Sequence, residues 1–98
     1  MIGIVLGLAL QTRTILVTNG GDRAIVALRV GQAAPKSWSD DLLGFDGVIQ
    51  VSRGREIRMS VDPSACFSDV KATYQDGRDV VQHDVNLCTV DRIDFLEL

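Results

Sequence analysis

Apolar and polar residues alternate along much of the chain. Across residues 24–30, Ala24, Val26, Leu28 and Val30 interleave with Ile25, Ala27 and Arg29. Ile57, Met59 and Val61 interleave with Arg58 and Ser60, and Val70, Ala72 and Tyr74 with Asp69, Lys71 and Thr73. A period of two puts one set on the dry side of a pleated strand and the other in water. The runs are short and divided by turn residues. Asn19, Gly20, Gly21 and Asp22 divide residues 13–18 from 24–30. Arg53 and Gly54 divide 48–52 from 55–61, and Asp76 and Gly77 divide 67–75 from 78–85. Gly, Asn and Asp accept the positive φ of tight turns, so each break predicts a hairpin. With residues 92–98 the pattern predicts seven strands. Strands with one apolar face each call for two sheets stacked face to face. The expected fold is all-β: a small antiparallel β-sandwich in Ig-like or related Greek-key order.

Residues 31–44 break the alternation. They hold Pro35, Trp38, Asp40 and Asp41, then Leu42, Leu43 and Gly44. The expectation is one irregular loop, in which Ser39 or Asp40 caps a single helical turn through Leu43 that Gly44 ends. Trp38 and Leu42 or Leu43 would plug one end of the sandwich. As the longest stretch without a strand it is the first place to look for a contact site, carried by Trp38, Asp40, Asp41 and Leu42.

Residues 1–10 form the one uninterrupted apolar run, far short of the about 20 residues a membrane-spanning helix needs. They read either as a signal-peptide remnant, with Gly7 and Ala9 as the small residues before a cut, or as a buried first strand. On both readings residues 11–98 are a single β domain.

Composition agrees with strands and turns. Val, Ile and Thr number 12, 7 and 5, and 11 of the 13 acidic residues are Asp, a turn former. A net charge of −3 argues against nucleic acid, whose phosphates call for a basic face. The densest positive stretch, Arg53, Arg55 and Arg58 around Glu56, reads as solvated strand ends.

Chemistry is thin. His83 is the only histidine and is followed by Asp84; strand neighbours point to opposite faces, so the pair reads as surface rather than as part of a nucleophilic triad. Gly20 and Gly21 precede a strand, not the helix a phosphate loop requires. Calcium is the one metal the composition admits, through Asp40, Asp41 and Asp46 near one loop and Asp76 and Asp79 near another, without EF-hand spacing. Phe67, Tyr74 and Phe95 read as core.

The two cysteines say more. Cys66 and Cys88 lie outside any C-x-x-C pair, and with one histidine they are too few for a structural zinc site. In a hairpin where Gln75 faces Arg78, Cys66 faces Leu87, one residue short of Cys88. A single bulge, or a three-residue loop of Asp76 to Arg78, closes that gap. The pair is therefore expected to form a disulfide worth roughly 3 kcal/mol by the loop-entropy relation. Two free thiols in a cytosolic protein are the alternative. A bridge implies the periplasm, the cell surface or secretion.

Three segments carry a resemblance. Trp38, Asp41, Leu42, Leu43 and Gly44 make W-x-x-D-L-L-G. Cys66, Asp69, Ala72, Tyr74, Asp76 and Gly77 make C-x-x-D-x-x-A-x-Y-x-D-G, and Leu87 and Cys88 make a closing L-C. From about Asn19 onward the chain resembles a group of short bacterial exported proteins whose function is not established. The resemblance implies export and the cysteine pairing, and supplies no catalytic residue. The expectation is a non-enzymatic exported β-domain, a structural or interaction module that meets a protein or cell-surface component. The alternative is a ligand- or calcium-binding module built on residues 38–46.

Overall fold

The computed structural model describes residues 10–96. The two readings of residues 1–10 therefore fall outside the described residues, Leu10 excepted. Seven strands form: β1 (Gln11–Asn19), β2 (Ile25–Gln32), β3 (Ser37–Trp38), β4 (Gly54–Val61), β5 (Phe67–Tyr74), β6 (Asp79–Asn86) and β7 (Arg92–Phe95). They make a three-stranded sheet in the order β4-β1-β7 and a four-stranded sheet in the order β3-β2-β5-β6. Only β2–β3 and β5–β6 are sequential hairpins; the other four connections cross between sheets, which is Greek-key order. The β1–β7 pair is parallel, from Leu16 opposite Arg92 to Asn19 opposite Phe95, while the remaining pairs are antiparallel.

The core lies between the sheets. Ile15 and Val17 of β1, Ile57, Met59 and Val61 of β4, and Ile93 and Phe95 of β7 form one wall. Leu28, Val70, Ala72 and Tyr74 form the other, and all are buried. Strands β4 and β5 thus bury the residues their alternation predicts. Phe67 does not join Tyr74 and Phe95 in the core: it stands 58 % exposed on the outer side of β5.

Three expectations about local structure are corrected. The segment after β1 is no hairpin. Asn19 is buried, and its Nδ2 donates to the carbonyls of Arg23 (2.8 Å) and Ile49 (2.9 Å) while its Oδ1 accepts from the Gly21 amide (2.9 Å). That network turns the chain from one sheet into the other. Residues 48–52 form no strand; Ile49 makes a single bridge with Ile25, each amide donating to the other's carbonyl at 2.9 Å. The Arg53-Gly54 break is therefore the entry to β4 rather than a hairpin turn. In β2 the register with β5 shifts between Ile25 and Ala27, so Val26 is an extra residue. The bulge turns Ile25 inward ahead of Leu28 and leaves Val26 half-buried, where strict alternation placed Val26 inside.

Strands β5 and β6 join through Gln75, Asp76 and Gly77. The Tyr74 amide donates to Arg78 (2.8 Å) and the Gly77 amide to Tyr74 (2.9 Å), with Gly77 at φ 92. A second irregularity sets His83 and Asp84 together opposite Asp69. The Leu87 amide then donates to Cys66 (2.9 Å), and the chain turns after Asn86, whose side chain accepts from the Cys88 amide (3.1 Å). This turn carries Cys88 back to Cys66, and the two form a disulfide with their Cα atoms 5.3 Å apart.

Candidate functional site

Residues 31–44 are less irregular than the sequence suggests. Ser37 pairs with Gln32 and Trp38 with Gly31. Beyond them the Ser39 amide donates to Val30 (2.8 Å), the Ser39 hydroxyl accepts from the Val30 amide (3.1 Å), and the Leu42 amide donates to Leu28 (2.7 Å). Residues 37–42 are therefore a ragged edge laid along β2, and no helical turn forms. Asp41 makes this possible. Its Oδ1 accepts from the amides of Leu28 (3.0 Å) and Leu43 (2.9 Å), filling a gap in the ladder and closing the turn. Leu43 plugs the end of the sandwich and Leu42 packs beside the core.

Trp38 is not a plug. It lies on the outer face of the four-stranded sheet, with its ring centre 4.7 Å from Lys71 Nζ on β5. The Trp38 and Lys71 side chains thus meet across β2, on which Gly31 pairs with Trp38. Gly31 has φ 154, and a Cβ added there would sit 1.9 Å from the Ser37 carbonyl oxygen. Lys71 faces Arg29 on β2 and Val81 on β6, so two cations lie side by side at the middle of this face. A cation over an indole is attracted by the negative face of the ring.

One row away stands a cluster the sequence reading did not select. Asp69, 7 % exposed, accepts the Ala33 amide on Oδ2 (2.9 Å) and the Asp84 amide on Oδ1 (3.1 Å). The Ala33 amide, and next that of Asp84, hold its carboxyl below the usual carboxylate range against the opposing effect of burial. His83 Nδ1 lies 3.3 Å from Oδ1, on a side chain 63 % exposed. The carboxylate thus ties the β2–β3 hairpin, β5 and the β6 bulge together and orients the imidazole. No hydroxyl is hydrogen-bonded to His83 among the described residues, so a Ser-His-Asp triad is not assembled. The signal for this cluster was register, since Asp69 falls opposite 83 and 84 once β5 and β6 are paired.

The acidic candidates are dispersed. Asp41 is occupied by backbone amides, while Asp40 is exposed and Asp46, at φ 68, sits beside the 96 %-exposed Phe45. Among the described residues no three His, Cys, Asp or Glu side chains gather as a metal-holding group. Nor does any helix among them have the length and apolarity to cross a membrane.

Fold and face together define a disulfide-tied, seven-stranded β-sandwich that presents an aromatic–cationic outer surface. Comparison with protein-family models, with curated proteins and with solved structures returns no match for this chain.

Proposed function

We propose that the protein is an exported, non-enzymatic β-domain that acts as an interaction module through a protein or cell-surface contact. The observation that carries this reading is the Cys66–Cys88 bridge, which a reducing compartment would not maintain. The bacterial exported group that the chain resembles supports the same compartment. The contact surface is the outer face around Trp38, Arg29 and Lys71, flanked by exposed Phe67. Of the four residues first singled out in 38–42, Trp38 and Asp40 remain available to a partner, whereas Asp41 and Leu42 serve the fold. An aromatic ring beside paired cations suits a partner offering carboxylates or other anions next to apolar surface. Fractionation of the producing cell with non-reducing mass spectrometry tests the reading. The expected result is the chain in the periplasmic or extracellular fraction with Cys66 and Cys88 joined. A cytoplasmic chain with two free thiols would sink it.

A further inference from the structure

The two sheets present four edges, and they are not equivalent. Strand β3 is two residues long and β7 four, while β6 is kinked by the bulge at His83 and Asp84. Short length and bulges are the usual means by which a sheet edge avoids pairing with another chain. Strand β4 has neither. All eight of its residues pair with β1 without a register shift, and no other described residue hydrogen-bonds to it.

The side chains of β4 make this edge self-complementary. Glu56 and Arg58 are exposed, point to the same outer face, and make no ion pair among the described residues. Antiparallel pairing of two copies of β4 about a two-fold axis perpendicular to the sheet keeps outer faces outward. A residue then lies opposite its own copy at the axis. Two registers overlap nearly the whole strand. Centring on Arg58 opposes two guanidinium groups. Centring on Ile57 sets Glu56 opposite Arg58 of the second copy, twice by symmetry, and pairs residues 54–60 along their length. Opposite charges directly across a strand pair stabilise it and like charges destabilise it, so the side chains select the second register.

We propose that the protein forms a two-fold dimer through β4, centred on Ile57, which joins two three-stranded sheets into one of six strands. Such an isologous contact is the commonest way soluble chains pair. The dimer depends on the sheet edge alone and is independent of the compartment assigned above.

Light scattering over a concentration series, with the bridge intact, tests it. The wild-type chain is expected to show twice the protomer mass at high concentration. Glu56→Arg and Arg58→Glu each place like charges across the axis and should weaken dimerisation about tenfold or more. Combining them restores opposite charges and should return the dimer. Both positions are exposed, and thermal melts check that each variant remains folded. Amides of residues 55–60 should gain hydrogen-exchange protection with rising concentration. A chain that stays monomeric throughout, or a dimer indifferent to the single reversals, would overturn the proposal.

Discussion

Asn19 and Asp69 are the buried polar side chains among the described residues, and each joins segments that the sequence holds far apart. Burying such a group is costly unless its hydrogen bonds are met, and both meet theirs largely with backbone amides and carbonyls. For Asp69 this has a consequence in pH. Its folded carboxyl lies below the ordinary aspartate value, so it contributes stability that is present above that value and lost as pH falls through the folded one. Asp62, Asp76 and Asp94 are lowered too, and add to the same acid limb. Asp69→Asn keeps the shape but removes the ionisation. The variant should be less stable than wild type at neutral pH, with the difference shrinking toward strong acid. Thermal melts from neutral to acid pH check this; parallel curves for the two proteins would show that Asp69 contributes no pH dependence.

Among the elements, the sequence was most legible where a strand has one dry face and no bulge. Ile57, Met59 and Val61, and Val70, Ala72 and Tyr74, point where their alternation said. The Asp76-Gly77 turn marks a true hairpin, and the cysteines meet at its open end. A turn dipeptide, however, reports the φ values a chain needs locally and not which strand receives it. Asn19 and Gly20 therefore looked like a hairpin and form a corner between sheets. The extra residue at Val26 cannot be read from the period, because a bulge is set by the partner strand. The two-residue β3 is too short to show any period at all, and its placement depends on Asp41 and on Gly31. For the candidate site, Trp38 was legible as an odd large residue in a loop; Asp69 with His83 was not, since only the paired register brings them together.

Gly31 offers a test at this scale. A methyl group there would meet the Ser37 carbonyl, and φ 154 is a conformation that side-chain-bearing residues rarely adopt. Gly31→Ala should detach β3 from β2 and cost about 1–3 kcal/mol. Trp38 is the only tryptophan, so its emission reports the event directly. A red shift is expected in Gly31→Ala. Lys71→Ala, which removes the cation but leaves the β2–β3 pairing, should shift it much less. Unchanged emission in Gly31→Ala would mean that the ring does not depend on that pairing.

At the scale of the whole molecule, two long-range side-chain ties hold the crossing from β6 to β7 among the described residues. One is the disulfide. The other is Arg13, on the inner side of β1, whose Nη1 donates to the carbonyls of Leu87 and Val90 (2.7 Å each) and whose Nη2 reaches Asp91 (3.2 Å). The bridge spans a sequence separation of 22 and contributes roughly 3 kcal/mol by restricting the unfolded chain. For a domain of this size that corresponds to a fall of roughly 10–20 °C in Tm when it is removed. The β1–β4 and β2–β5 ladders do not run through it, and Arg13 still holds the Leu87 and Val90 carbonyls without it. The Cys66→Ala, Cys88→Ala double variant should therefore keep the far-ultraviolet circular dichroism of the wild type while melting in that lower range. Loss of the β signal at room temperature would show instead that the sandwich cannot form unbridged. Retention would show that the strands choose their register without the bridge: the turn at Asn86 brings the two positions together, and the disulfide adds stability to a fold already specified by the ladders and Arg13.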